Sequence, residues 1–513
     1  MTKQDISYMP LKVVLPVFLG YVAIVAVGMH FHELWLDESQ HFLIGRDSDS
    51  LSSLYWNMRY DGHPRLWNYM LYFITHYIHS SYIGMQVLHL LIASAAAFIF
   101  LRCAPFSLLI KILILAGYYF LYEYSVLSRN YAPGILSLFA VCILLRQPRK
   151  HLLWIGVLLF VMCNTHLFFA FASIGVFVYL AMEHREKEWI SPRFLLFMLL
   201  FVAGFICVII QSRTPPEENF NHIKPQEWFS GHNLSFAAFG VIRGWLPFPQ
   251  IGEARTGHFW NTYWMNDRHI NGLICCILFI FFLVFPGIML KRDRKALVFY
   301  YVALFWLWAF FIVTQQTANR YFGMVYIYFL AALWMSGTSL KTMFSRENIP
   351  GPPVFRKFML ICGYGILFIH VGMGLLALQQ DISLPFSSSK DAVAYLREKR
   401  LDGRKIILDG YNGGPMISAY LGRKLYCSTT GSEGSYVIWK KCYWPKPRPT
   451  IGQEVAGSSY LQRLDSFILV SNLRLDTGTI DAGARCFRLT SLASFTNSIL
   501  RENFFIYQYQ SLH

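Results

Sequence analysis

Two adjacent carboxylates, Asp37 and Glu38, sit in the stretch FHELWLDESQH (31–41), directly after the first apolar run of the chain. A carboxylate held at a membrane boundary is costly to bury, so by default it marks a functional site. The chemistry that suits Asp37 is general-base catalysis, taking a proton from an acceptor hydroxyl. The alternative is a solvated amphipathic helix lying on the headgroups, with Trp35 as its interfacial anchor. Asp37 and His41 are four residues apart, so on a helix they share a face and could hold a divalent metal together. Such pairs also arise by chance.

Other residues have chemistry suited to phosphate. In DGHPRLWNYM (61–70), His63 precedes a proline that starts a helix well, and Arg65 follows it. In SVLSRNYAPG (125–134), Arg129 and Tyr131 stand at a helix end on the side where positive charge is disfavoured by topology. Arg320 and Tyr321 repeat the pattern at the start of a later apolar run. A guanidinium keeps its charge and binds phosphate bidentately, which suits it to hold a phosphate leaving group. The bland readings are a capped interfacial helix for His63 and Arg65, and snorkelling to lipid phosphates for the other two arginines. Glu123, six residues upstream, is a candidate ion-pair partner for Arg129. His166, in the NTH break at 164–166, reads as a helix-break residue and not as a catalyst.

These residues need a scaffold, and the composition says which kind. Of 513 residues, 55% are hydrophobic and 14% charged, with a mean hydropathy of +0.39. Soluble domains average about 25% charged residues. Many apolar runs match the roughly 20 residues needed to cross a bilayer. The net charge of +16 comes largely from clusters between those runs, such as RQPRK (146–150) and KRDRK (291–295). That is the positive-inside pattern, and with no basic stripe interleaved with aromatics it argues against nucleic acid. Placing these clusters in the cytoplasm, with EHREKE (183–188), Lys341 and Arg346, gives about eleven spans. The N-terminus is then inside and the C-terminus outside. PRLWNYMLYFITHYI (64–78) is too short to span comfortably and reads as a juxtamembrane helix. The candidate residues then all fall on the outer side.

The expected organisation is a transmembrane catalytic domain (1–380) followed by an extracytoplasmic α/β domain (381–513). In the latter, SSKDAVAYLREKR is helical by period, and KIILDG and DSFILVSN read as strands. No CxxC pair occurs among the ten cysteines. Cys427, Cys442 and Cys486 lie in the polar C-terminal part, where one disulfide is an option and its pairing is unreadable.

The order of motifs resembles the GT-C superfamily of integral membrane glycosyltransferases. Within it, the chain looks most like the protein O-mannosyltransferases and the bacterial lipid A aminoarabinose transferases. The resemblance covers roughly residues 11–340: the acidic pair of the first outer loop, an HP helix start, SRNY, and a late RY. It extends to the outer tail, including ENFFIYQY. It implies that Asp37 is the base and Glu38 its neighbour. His63, Arg65, Arg129, Tyr131, Arg320 and Tyr321 would bind the donor phosphate. The chain departs from the family pattern at Arg65, where a second proline is usual, at Ser128, where alanine is, and after Tyr321, where FGMVYIY replaces a proline-rich continuation. The implied reaction is inverting transfer of a sugar from a polyprenyl-phosphate donor to a glycan, lipid or protein hydroxyl. It would take place at the outer face of the cytoplasmic (inner) membrane, among membrane lipids. A divalent metal is left open as a cofactor. A lipid or glycan transporter or flippase, or a non-catalytic membrane assembly protein, is the alternative class. Against transport stand the absence of internal repeats and the gathering of polar residues at one boundary.

Overall fold

Long apolar runs without internal proline clusters form helices, and in this chain those helices dominate. The computed structural model describes residues 8–183, 191–220, 223–266, 272–316, 318–337, 352–410, 413–482 and 486–512. Most of EHREKE, and Lys341 and Arg346, lie outside the described residues. Among the described residues, six helices are long and apolar enough to cross a membrane: Leu11–Phe31, Tyr82–Cys103, Pro192–Ser212, Gly272–Leu290, Arg294–Thr314 and Pro353–Ser383. The chain is a multi-pass membrane protein with a C-terminal sheet domain. It divides into two compact units, one comprising residues 1–30, 89–212 and 222–379, the other 31–88, 213–221 and 380–513.

In the first unit, local chemistry sets the helix ends. Pro148 starts the helix Pro148–Thr165 at its first turn, where its missing N–H costs nothing. That helix and Leu167–Glu183 meet at His166, whose backbone is extended (φ −159°, ψ 149°). The long apolar stretch is therefore two helices, as the NTH break suggests. Arg294–Thr314 begins at Asp293, whose carboxylate accepts from the main-chain N–H of Lys295 and Ala296, both at 3.0 Å. The apolar stretch 106–123, long enough by itself for one span, is broken. A helix covers Leu108–Leu115, and after Gly117 a π-helical turn covers Tyr119–Glu123. Such turns are rare and frequently sit at functional sites.

The second unit contains α1 (Leu36–Asp47), α2 (Leu51–Asn57) and α3 (Leu66–Tyr77). α3 has 12 residues, about 18 Å at 1.5 Å per residue, which is shorter than a bilayer core. α1 and α3 pack closely because Gly45 has no side chain: a Cβ there would lie 2.9 Å from Leu71 Cβ.

The same unit holds a seven-stranded sheet: β1 (Ile406–Asp409), β2 (Leu425–Cys427), β3 (Ser432–Gly434), β4 (Ser466–Ser471), β5 (Gly478–Asp481), β6 (Cys486–Phe495) and β7 (Phe504–Leu512). Their spatial order is 3-2-1-4-7-6-5. β1 runs parallel to β2 and β4, while the remaining pairs are antiparallel. All four residues of β1 are buried, as expected of a parallel strand covered on both faces. KIILDG and DSFILVSN are β1 and β4, and the helix expected in SSKDAVAYLREKR covers Ser389–Glu398. Cys427, Cys442 and Cys486 are free thiols.

Candidate active site

In the first unit, the π-helical turn places Glu123 inside the bundle, 2% exposed. A buried carboxylate needs hydrogen bonds. Glu123 Oε2 accepts from Tyr118 Oη at 2.6 Å and from Trp260 Nε1 at 3.0 Å. Asn319 Nδ2 donates to Tyr118 Oη at 3.1 Å, tying the start of the helix Asn319–Met335 to the same group. Arg129 (3% exposed) and Arg320 (9%) both lie within electrostatic reach of Glu123.

The Arg320 guanidinium carbon lies 4.8 Å from the Tyr321 ring centroid and 5.6 Å from that of Trp260. The Arg320 carbonyl accepts from Tyr124 Oη at 2.7 Å. Tyr131 packs its ring 4.6 Å from that of His166 and 5.5 Å from that of Tyr124. A third buried arginine, Arg243, lies 3.8 Å over the Tyr263 ring, and Tyr263 also senses Glu123 and Arg320. Two guanidinium groups thus stand near the Glu123 carboxylate and a third lies against Tyr263, with aromatic rings beneath two of the three. Such an arrangement is suited to receiving an anion.

The second unit carries the other candidates. α1 is a polar helix, LDESQHFLIGRD, yet residues 38–45 are all buried. Each polar side chain therefore needs a partner. Gln40 satisfies both main-chain groups of Val437, accepting its N–H at 2.7 Å and donating to its carbonyl at 2.8 Å. His41 Nδ1 donates to Asn68 Oδ1 at 3.0 Å, and Asn68 Nδ2 donates to the His41 carbonyl at 3.2 Å.

Glu38, fully buried, accepts from His32 Nε2 at 2.9 Å, and His32 Nδ1 donates to Asp381 Oδ2 at 2.7 Å. Burial opposes charge on His32, but Asp381 and Glu38 outweigh it and hold the ring cationic, up to about 10. Glu502 accepts from Ser387 and from the main-chain N–H of Leu36 at the head of α1, where a helix favours negative charge. The residue is half-buried, but its Oε2 is enclosed. Burial, then the charges of Asp37 and Glu38, push its pKa up to about 7.

Asp37 follows Leu36 and is only partly buried, in contrast to Glu38. The His63 ring lies near that of His41, centroids 5.9 Å apart and planes tilted by 44°. The Arg65 guanidinium carbon lies 3.8 Å over the Tyr55 ring. Among the described residues, no three or more His, Cys, Asp or Glu side chains gather as a metal site. The spacing of Asp37 and His41 is met with one His41 nitrogen committed to Asn68.

No protein-family profile matches the chain, and no curated protein does. Solved structures similar to it include two of ArnT from Cupriavidus metallidurans. The one bound to undecaprenyl phosphate has 11% identity and a TM-score of 0.48, covering 98% of each chain. The apo form has 10% identity and a TM-score of 0.49, covering 96% of this chain and 97% of that one. Identities and scores this low transfer neither an activity nor a residue role.

The expected residues therefore fall into two sets. Arg129, Tyr131, Arg320 and Tyr321 belong to the first unit; Asp37, Glu38, His41, His63 and Arg65 belong to the second. Sequence reasoning missed His32, Asp381, Glu502, Arg243, Trp260 and Asn319. Only His32, six residues before Glu38, gave a usable signal: an ionisable residue just past the first apolar run.

Proposed function

We propose that the chain is a membrane glycosyltransferase that uses a polyprenyl-phosphate sugar as donor. The observation that carries this reading is the pair of buried arginines, Arg129 and Arg320, near Glu123 at the π-helical turn, with buried Arg243 over the Tyr263 ring. Burying guanidinium groups among apolar helices is costly. An anionic ligand confined to the membrane gives that cost a use. Arg129 and Arg320 hold the donor phosphate and stabilise the charge that develops on it as the glycosidic bond breaks. Tyr321 lies against Arg320, while Tyr131, His63 and Arg65 are further candidates for the phosphate.

Asp37 takes the proton of the acceptor hydroxyl as that oxygen attacks the anomeric carbon from the opposite face, inverting it. The partial exposure of Asp37 beside a fully buried Glu38 supports giving the base role to Asp37 and an orienting role to Glu38. Residues 1–380 form the catalytic domain and 381–513 an extracytoplasmic domain. Transfer takes place at the outer face of the cytoplasmic membrane, to a glycan, lipid or protein hydroxyl.

The test uses purified full-length protein and a panel of polyprenyl-phosphate sugars, with wild type compared to Asp37→Asn. Sugar release or transfer by wild type that the variant loses is expected. Turnover that survives Asp37→Asn would remove the base assignment. Failure of wild type with every lipid-linked donor would favour transport or assembly.

A further inference from the structure

His32 has a geometry that none of the roles above uses. Its two ring nitrogens face two carboxylate oxygens, Asp381 Oδ2 and Glu38 Oε2, and the side chains of all three residues are enclosed. A neutral imidazole has one donor and one acceptor nitrogen. Two carboxylate acceptors call for two donors, which only the imidazolium supplies. The Phe386 ring, centroid 4.5 Å from that of His32, closes the site. The triad joins three separate elements: the segment before α1, the first turn of α1, and the end of the helix Pro353–Ser383. Adjacent helical residues point about 100° apart, so a turn that holds Glu38 inward turns Asp37 aside, toward the partly exposed position it occupies.

We propose that His32 is the positioning residue of the acidic pair: its imidazolium, clamped between Asp381 and Glu38, fixes the first turn of α1 and so aims Asp37. This rests on the reading of Asp37 as base. The groups that face the triad are Glu33 on the same segment, Tyr82, Lys390 and Asp391 on the helix Ser389–Glu398, Tyr420, and Glu502. Tyr420 Oη accepts the Leu34 N–H at 2.8 Å, which fixes the segment from its other side. Burial pushes Glu33 up to about 8 and Glu502 up to about 7.

The experiment has two arms on full-length protein in nanodiscs. In the first, histidine-selective 15N solid-state NMR at pH 8.5 should show a cationic imidazole that disappears in His32→Gln. No cationic ring in wild type overturns the proposal whatever the enzyme does. In the second, kcat, KM and the pH profile are compared for wild type, His32→Gln, Asp381→Asn and His32→Lys.

Positioning of Asp37 gives a tenfold or greater loss of kcat in the first two variants, with the donor KM within about twofold. In Asp381→Asn, where the imidazolium loses one of its two counter-charges, the alkaline limb of kcat also moves to lower pH, and in His32→Gln that limb disappears. His32→Lys, which restores a buried cation, should recover part of kcat. Equal pH profiles and unchanged kcat in variants that fold as well as wild type would overturn the role. Wild type inactive with every donor would reject the glycosyltransferase reading instead, and the NMR arm would still decide the charge state of the triad.

Discussion

Replacing Arg320 by lysine keeps one positive charge and removes the guanidinium plane. That plane stands over Tyr321 and Trp260 and neighbours Glu123. An ammonium is a point charge where the guanidinium offers a bidentate fork, so Arg320→Lys gives up about one charge-assisted hydrogen bond to a phosphate oxygen. One such bond contributes about 1.5–3 kcal/mol, which is about 10- to 150-fold in affinity. Arg320→Ala also removes the charge and leaves the buried Glu123 carboxylate with one counter-charge fewer. Breaking a buried charge arrangement from one side costs about 3–5 kcal/mol. Alanine should therefore lower the melting temperature as well as the affinity, whereas lysine should lower mainly the affinity. The assay is titration of undecaprenyl phosphate into purified protein, followed by native mass spectrometry, with thermal unfolding run in parallel. Binding by Arg320→Ala as tight as wild type would refute the arginine cluster as the phosphate site.

Asp37→Asn should lower the transfer rate by about 10²- to 10⁴-fold, the usual contribution of a general base, with undecaprenyl phosphate affinity unchanged; a parallel loss of affinity would point to a binding role. Burial raises Glu33 to about 8 and Glu502 to about 7, from an ordinary value near 4.5. A carboxyl raised in this way binds its proton more tightly in the folded chain, so its contribution is complete below pH 4.5 and is lost as pH rises through 7 and 8. Melting temperature should thus fall between pH 5 and 8, and Glu33→Gln should flatten that fall; an unchanged slope in the variant would discard the Glu33 contribution. Gly323 lies one turn after Arg320, and a Cβ there would meet the Tyr119 ring and sit 2.6 Å from Tyr124 Oη, the group that donates to the Arg320 carbonyl. Gly323→Ala should cost about 1–3 kcal/mol of stability through overpacking, measured by thermal unfolding, and should weaken phosphate binding. An alanine variant with wild-type melting and binding would show that Tyr119 and Tyr124 yield freely.

What the sequence made legible was whatever depends on short spacing. Apolar run length marked the long helices, RQPRK and KRDRK marked their flanks, and short apolar runs bounded by turn residues marked β1 and β4. The π-helical turn at Tyr119–Glu123 was not legible, because YYFLYEY continues an ordinary apolar pattern and a one-residue widening leaves no periodic trace. α1 was the harder case. LDESQHFLIGRD has the polarity of a solvated helix, yet it is buried because its partners lie off the helix: Asn68, the Val437 main chain, and His32, itself held by Asp381. Periodicity weighs neighbours on one element and cannot see that the histidine facing Glu38 is itself held by a carboxylate 349 residues further along the chain. For the same reason Asp37 and Glu38 look equivalent in sequence. Their difference lies in the partner set: Glu38 faces a doubly hydrogen-bonded histidine, while Asp37 keeps partial exposure at the head of the helix. A base must reach its substrate, and a carboxylate already committed to an imidazolium is a poor one. The same buried neighbours that hid the helix from pattern reading are therefore what separates the pair.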